Sequence, residues 1–133
     1  MATVFEKLNL KNQQEIVVLN APASFESELA SLPAIHVHRH LESVPKVSFV
    51  LAFVTRKSEV DELAGPIAER AEGDAIVWFA YPKGTSKKYT CDFNRDNGWD
   101  ALIARRFEAV RAVAIDEDWS ALRHRRSEYV KAR

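Results

Sequence analysis

The sequence is short of the residues that mark several classes of protein. It has one cysteine, Cys91, only four glycines, and 19 Lys and Arg against 19 Asp and Glu. A single cysteine cannot form a disulfide within the chain, so nothing points to an oxidising compartment and we expect a cytoplasmic location. The balanced charge provides no overall attraction to nucleic acids or to anionic membranes.

Long apolar stretches are also missing. The longest, 47–54 and 75–81, fall far short of the roughly 20 residues that a membrane-spanning helix needs. The first ten residues alternate polar and apolar types instead of forming a secretory leader. With 133 residues and no repeat or biased tract, the chain is expected to form one domain over 1–133.

The glycines are isolated from one another, at positions 65, 73, 84 and 98. Phosphate-binding loops need clustered glycines so that the backbone can approach the ligand. The sequence therefore contains neither a P-loop nor a dinucleotide-binding fingerprint.

Alternating strand and helix patterns are what the sequence does contain. Residues 47–54 and 74–81 are apolar on both faces, which is typical of central strands covered by helices on each side. Residues 34–41 alternate polar and apolar side chains, as an edge strand does. Three further strands are predicted, at 15–20, 109–115 and 122–130.

Three helices are predicted between these strands. The first begins with Ser24 as its N-cap, and the third covers 99–106. The second covers 58–71 and has a capping-box-like start at Ser58, while Pro66 inside it either kinks or restarts the helix.

The resulting order, βαββαβαββ, predicts an α/β fold. We expect a three-layer αβα sandwich with a Rossmann-like, mainly parallel sheet of about six strands, the last of them antiparallel. The last strand is unusually charged, which leaves open whether it enters the sheet or lies along its edge. Ligands of such sheets bind beyond the carboxyl ends of the strands, where the strand order reverses.

Three segments also carry a family resemblance: 48–54 (SFVLAFV), 73–82 (GDAIVWFAYP) and 106–111 (RFEAVR). In this order they resemble the fourth, fifth and penultimate strands of a class I S-adenosylmethionine methyltransferase. The cofactor loop of that family would fall at 20–24, which contains no glycine, and its ribose-binding acidic residue would correspond loosely to Glu42. The resemblance thus implies a shortened methyltransferase fold that lacks the third strand and the glycine-rich loop.

A second resemblance rests on Trp78, on Pro82-Lys83-Gly84 and on Asp118-Trp119-Ser120. These features are similar to those of an uncharacterised bacterial domain-of-unknown-function family. That resemblance implies a fold and no activity.

Cationic and hydroxyl side chains are expected at the carboxyl edge of the sheet, where backbone donors and helix dipoles also attract anions. The alternative is a solvated basic loop. The candidate ligand-binding residues are Asn20, Ser24, Thr55, Arg56, Lys57, Lys83, Thr85, Ser86, Lys87 and Lys88.

Two weaker candidates have simpler explanations. His36, His38 and His40 would share one strand face and could meet a zinc ion, but strand alternation alone explains their spacing, so we expect no metal. Lys87 and Lys88 could lower the pKa of the Cys91 thiol, yet no catalytic cysteine signature surrounds it, and a packed thiol is favoured.

Arginines form a second basic cluster near the carboxyl terminus, which could contact a phosphate backbone. Strand alternation would disperse it, because Arg123 and Arg125 would face one side and Arg126 the other, and nucleic acid is therefore the less favoured partner. The members of the cluster are Arg105, Arg106, Arg123, Arg125 and Arg126.

The favoured hypothesis is a non-catalytic domain that binds a small anionic ligand or a partner on a degenerate methyltransferase-like scaffold, with no cofactor. The alternatives are a divergent S-adenosylmethionine-binding enzyme, with Asn20 and Thr55 lining its crevice, and a nucleic-acid accessory module. The half-polar edge strand would also suit a homodimer that pairs this edge.

Overall fold

The computed structural model describes residues 4–10, 13–32, 35–93 and 97–130. One six-stranded sheet forms its centre, in the order β2-β1-β3-β4-β6-β5. The strands β1 to β4 pair in parallel, and β6 runs antiparallel to both of its neighbours. The predicted mainly parallel sheet with an antiparallel last strand is confirmed. The strands are β1 (Glu15–Leu19), β2 (His36–His38), β3 (Val47–Phe53), β4 (Ala71–Pro82), β5 (Phe107–Ala114) and β6 (Trp119–Arg126).

Helices cover both faces of the sheet, so the three-layer arrangement is confirmed as well. The helices α1 and α2 pack in one apolar cluster, and α3 and α4 pack in the other. Their bounds are α1 (Val4–Lys7), α2 (Glu26–Ala30), α3 (Lys57–Arg70) and α4 (Asp100–Ala104). No helix within the described residues is long and apolar enough to cross a membrane.

The two central strands are buried on both faces, as their sequence predicts. Val50 and Leu51 of β3 point to opposite faces and are both fully buried, and Val77 and Trp78 of β4 behave in the same way. Full burial of such a side chain contributes about 1.5–3 kcal/mol. These strands therefore fix the centre of the fold and the register of its neighbours.

Helix α1 is an element that the sequence patterns did not predict. It is only four residues long, and Phe5 and the following Leu8 are buried against the sheet. The indole Nε1 of Trp78 donates a 2.8 Å hydrogen bond to the carbonyl oxygen of Leu8. A long-range contact, which no local pattern reports, thus holds this segment in place.

Two predictions at the amino-terminal half are wrong in detail. Strand β2 is the predicted edge strand but spans three residues instead of 34–41, of which Ala34 lies outside the described residues. Ser24 is not an N-cap: it lies inside a 3-10 helix, Ala23–Phe25, and α2 follows at Glu26 without a side-chain cap. Packing of Phe25 into the core determines this turn.

Helix α3 begins at Lys57 and continues through Pro66 as one helix. Glu59 caps its start in place of the predicted pattern at Ser58. The Glu59 carboxylate accepts the backbone N–H groups of Thr55, at 2.8 Å, and Arg56, at 3.0 Å. The backbone N–H groups of the two residues that precede the helix are therefore already satisfied within the chain.

Strand β6 lies inside the sheet, between β4 and β5, and it begins earlier than predicted. Two of its charged residues find partners on β4 and at the end of α3. Arg125 makes two hydrogen bonds to the Asp74 carboxylate, at 2.8 and 2.6 Å. Arg126 donates to the carbonyl oxygens of Ala68 and Ala71. An interior strand can carry these charges because they lie near its end, where the side chains reach the rim of the sheet.

Candidate functional site

The candidate site lies at the carboxyl edge of the parallel strands. The strand order reverses at β1, since β2 lies on one side of it and β3 on the other. The chain leaves β3 through Thr55 and Arg56 and leaves β4 through Lys83. This is the edge at which α/β sheets of this kind bind ligands.

One groove at this edge, which we call the edge groove, has a volume of about 370 Å³. Arg56 and Lys88 are exposed, and neither forms an ion pair with any described residue. The edge groove therefore offers two positive charges beside hydroxyl groups and the Asp92 carboxylate. Its lining residues are Thr55, Arg56, Lys88, Tyr89, Thr90 and Asp92.

A neighbouring pocket of about 270 Å³ adjoins the edge groove through Tyr89 and Thr90, which line both. Lys83 and Ser86 contribute its polar part, and Cys91 lies beside them. Both cavities are thus built by the segment that follows β4.

Side chains of the β5–β6 turn hold this segment in position. The hydroxyl of Ser86 donates a 2.9 Å hydrogen bond to Asp118 Oδ1 and accepts the N–H groups of Lys88 and Tyr89. The Lys83 N–H donates to the Asp118 carbonyl oxygen at 2.8 Å. Asp116 Oδ1 accepts the N–H groups of Asp118 and Trp119 within the turn itself, at 2.8 and 2.9 Å. These hydrogen bonds therefore tie the loop that carries Lys88 to the β5–β6 turn.

The structure gathers about half of the candidate residues. Thr55, Arg56 and Lys88 meet in the edge groove, and Lys83 and Ser86 meet in the neighbouring pocket. The other five candidates line neither cavity: Asn20, Ser24, Lys57, Thr85 and Lys87.

Local contacts explain why Lys57 does not line either cavity. The ammonium group of Lys57 pairs with Asp61 one turn further along α3, at 3.1 Å. Its backbone N–H donates to Asp92 Oδ1 at 2.7 Å, which draws Asp92 to the start of the helix. Asn20 follows β1 with a left-handed φ of 58° and is exposed on the far side of β3.

Sequence reasoning missed Tyr89, Thr90 and Asp92. They lie in the polar loop after β4, where no periodicity marks one residue above another. The only available signal was position, because a loop that leaves β4 beside β3 must pass over the end of one of these strands.

The crevice between the ends of β1 and β2 is bridged by an ion pair. Arg39, directly after β2, donates hydrogen bonds of 2.9 and 2.8 Å to the two carboxylate oxygens of Glu26. The hydrogen bond from Arg39 lowers the pKa of Glu26, and the same bond raises the pKa of Arg39. Glu42, the loose match to a ribose-binding acid, is exposed in a 3-10 helix further on.

The histidine face is only partly formed. The His36 and His38 rings stack at 4.2 Å between centroids, so they share a face as predicted, and His38 Nε2 lies 2.7 Å from Glu15 Oε1. His40 lies outside β2. Among the residues that the structure describes, no three His, Cys, Asp or Glu side chains are placed to hold a metal ion.

Cys91 is a half-buried thiol that packs against the larger apolar cluster. Burial raises its pKa, so the proposed lowering by Lys87 and Lys88 is wrong. The favoured interpretation of a packed thiol agrees with this environment.

The arginine cluster is divided between the two faces of the sheet. Arg125 pairs with Asp74 at the rim, whereas Arg126 contacts the end of α3 and lies over the Phe107 ring. Adjacent strand residues face opposite sides, so Arg125 and Arg126 are separated as expected from the sequence, whereas Arg105 and Arg106 line one cavity together with Arg126.

Solved methyltransferase structures share this fold. A SAM-dependent methyltransferase from Aquifex aeolicus matches with a TM-score of 0.64 and 12% identity, over 92% of this chain and 87% of that one. Magnesium protoporphyrin IX methyltransferase from Synechocystis PCC 6803, solved with bound SAH, matches with a TM-score of 0.58 and 10% identity, over 93% and 78% of the two chains.

A fibrillarin pre-rRNA processing protein from Methanococcus jannaschii matches with a TM-score of 0.56 and 12% identity, over 88% of this chain and 68% of that one. No family model and no curated protein matches the sequence significantly. At such low identities the likeness shows the fold alone. The chain therefore has a Rossmann-like α/β fold similar to that of S-adenosylmethionine-dependent methyltransferases.

Proposed function

We propose that this methyltransferase-like domain binds a small anionic molecule in the edge groove. The observation that carries the proposal is that Arg56 and Lys88 line one groove and form no ion pair among the described residues, although the Asp92 carboxylate also lines the groove. An anion placed there would gain charge-assisted hydrogen bonds from both cations. The hydroxyl groups of Thr90 and Tyr89 supply further donors at the same place.

The start of α3 does not contribute to this site, contrary to the expectation from helix dipoles. Glu59 occupies the N–H groups of Thr55 and Arg56, and Asp92 occupies that of Lys57. Binding would therefore rest on side chains. This distinguishes the edge groove from sites in which a helix N-terminus holds a phosphate group.

The surroundings favour binding over chemistry. Asp92 accepts a backbone hydrogen bond, and burial raises the pKa of the neighbouring Cys91 thiol. The Cys91 thiol is not arranged as an activated nucleophile, because a nucleophilic cysteine needs a lowered pKa.

The test is calorimetric titration of the protein with inorganic sulfate and phosphate. The double variant Arg56→Ala/Lys88→Ala is expected to lose at least tenfold in affinity, because a hydrogen bond to a charged group contributes about 1.5–3 kcal/mol. Lys87→Ala is the matched control, since Lys87 is also exposed but lines neither cavity. Unchanged binding by the double variant would refute the proposed site.

A second candidate is a divergent S-adenosylmethionine-binding enzyme, and the similarity to solved methyltransferases supports it more directly than it supports the first. Its cofactor would lie near Asn20 and Thr55. Two features count against it: the loop at 20–24 has no glycine, and Glu26 and Arg39 bridge the adjoining crevice.

Thermal melting with S-adenosylhomocysteine, beside sulfate as the electrostatic control, separates the two candidates. At 100 times its dissociation constant a ligand stabilises the fold by about 2.7 kcal/mol, which raises the melting temperature by a few degrees. A shift with S-adenosylhomocysteine and none with sulfate would establish the second candidate. The opposite result is the one we expect.

A further inference from the structure

A third cavity, of about 500 Å³, lies at the opposite edge of the sheet from the edge groove. It forms where α4 leads into β5 and where β6 ends. We call it the arginine cavity, because three of its five lining residues are arginines. The lining residues are Arg105, Arg106, Arg126, Ser127 and Glu128.

Arg126 is held rigidly at one side of the cavity. Its Nη2 donates to the carbonyl oxygens of Ala68, at 2.9 Å, and Ala71, at 2.8 Å. These carbonyls lie at the end of α3, where helix acceptors lack partners and the helix dipole is negative. The guanidinium carbon also lies 4.9 Å from the centre of the Phe107 ring. The two hydrogen bonds from Nη2 and the contact with the Phe107 ring therefore hold the Arg126 guanidinium group in place. Its other N–H donors are not used by these contacts.

Arg105 lies against a glycine in the middle of α3. A Cβ atom at Gly65 would come within 2.9 Å of Arg105 Nη2. Glycine weakens a helix interior because it gains more freedom on unfolding than alanine does. Because Gly65 has no side chain, the Arg105 guanidinium has room to lie on α3 beside the cavity.

Arg106 adopts a left-handed backbone conformation, with φ at 64°. This conformation is unfavourable for arginine, and strained residues of this kind cluster at binding and catalytic sites. The Arg106 carbonyl oxygen accepts a 2.8 Å hydrogen bond from the N–H of Ser127, which joins the two strand ends that border the cavity. A strained turn is thus used to bring Arg106 to the same place as Arg126.

The charge balance of the cavity is positive. Three guanidinium groups face one carboxylate, that of Glu128, and no arginine of the cavity forms an ion pair within the described part of the chain. Guanidinium groups match the geometry of phosphate oxygens through paired N–H donors. We propose that the arginine cavity binds a small molecule that carries a phosphate or pyrophosphate group.

A nucleic-acid backbone is the less suitable occupant. It would require a basic track that continues beyond the cavity. The nearest further arginine, Arg125, projects to the other side of β6 and is neutralised by Asp74. The total charge of the chain is also zero. The basic surface therefore ends at the cavity, as a site for a compact anion would.

The experiment is calorimetric titration of the full chain with inorganic pyrophosphate, carried out in the Arg56→Ala/Lys88→Ala background so that the edge groove does not contribute. This background is expected to bind pyrophosphate at one site. Adding Arg105→Ala and Arg106→Gly should weaken that binding at least tenfold without loss of melting temperature, because glycine tolerates the left-handed φ at position 106. Equal binding with and without these two changes would overturn the proposal.

A second variant tests the geometry without removing any charge. Gly65→Ala should displace the Arg105 guanidinium and weaken pyrophosphate binding severalfold, while circular dichroism shows the helix content unchanged or higher. Unaltered binding in Gly65→Ala would show that Arg105 takes no part.

Titration with a ten-nucleotide RNA is the remaining experiment. If RNA binds more tightly than pyrophosphate and this binding is lost in the Arg105/Arg106 variant, nucleic acid would replace the small molecule as the ligand.

Discussion

Arg39 and Glu26 form an ion pair with two hydrogen bonds beyond the carboxyl ends of β1 and β2, with N–O distances of 2.9 and 2.8 Å. Arg39 stands directly after β2, three residues before Glu42, which the methyltransferase resemblance loosely matches to the acidic residue for the ribose. The pair therefore puts a cation at this position and ties it to the first turn of α2. This contact argues against the cofactor-binding candidate more specifically than the missing glycines do.

Breaking the Arg39–Glu26 pair should open the crevice. We expect Arg39→Ala to keep the fold, since both side chains are about half exposed, and to bind S-adenosylhomocysteine in a calorimetric titration in which the wild type is expected to show no binding. Lys46→Ala is the matched control, because it removes another exposed ion pair, with Glu72, outside this crevice. Equal affinity in the wild type and in Arg39→Ala would mean that the pair does not block the crevice.

His124 is a buried histidine in the middle of β6, with 1% of its surface exposed. It lies between the rings of Phe79 and Trp99, at centroid distances of 5.7 and 4.7 Å, and neither ring nitrogen has a hydrogen-bond partner among the described residues. Burial lowers its pKa from 6.5 to about 4. The imidazole is therefore neutral in the folded protein at neutral pH.

Acid should destabilise the protein through this histidine. Between pH 6.5 and about 4 the unfolded chain binds a proton at His124 that the folded chain does not bind, so the free energy of unfolding falls as the pH is lowered. A difference of this size in pKa corresponds to about 3 kcal/mol. Urea denaturation at pH 7 and pH 4.5 measures the loss.

The His124→Leu variant should lose most of this pH dependence and be at least as stable at pH 7, because it removes a buried polar ring without partners. His40→Gln is the control for an exposed histidine. Its free energy of unfolding should depend on pH as that of the wild type does. Identical pH profiles for His124→Leu and the wild type would contradict the assignment.

Two glycines in the loop between β4 and α4 are expected to respond oppositely to alanine. Gly98 has a φ of 92°, and a Cβ atom there would lie 2.6 Å from the Cβ of the buried Phe93. Gly98→Ala should therefore destabilise the protein by about 2 kcal/mol or more. At Gly84 an added Cβ meets nothing within 4 Å and φ is not positive, so Gly84→Ala should stabilise it by about 0.4–1 kcal/mol.

Thermal or urea unfolding of the two variants provides the comparison. A loss of similar size in both would indicate that the loop tolerates no side chain at all, whereas the expected opposite signs would confirm that the contact with Phe93 fixes its conformation.

The central strands could be predicted because burial on both faces leaves a continuous apolar run, as in 47–54 and 74–81. Helix α3 could be predicted because fourteen residues provide several turns of periodic pattern. Short elements gave no such signal. The helix Val4–Lys7 was missed, and Ser24 was assigned to the wrong role, because contacts of Phe25 and Trp78 with distant residues determine these turns.

The sequence by itself determined the class of fold, the order of strands and main helices along the chain, and the absence of a glycine-rich cofactor loop. These features depend on local composition and periodicity. Only the tertiary structure decided which polar side chains meet. It joined Arg56 with Lys88 and Arg105 with Arg126, and it drew Asp92 to the backbone N–H of Lys57. The physical reason is that a binding site is assembled from residues far apart in the chain, and their distances are fixed by packing and by hydrogen bonds that a linear pattern does not encode.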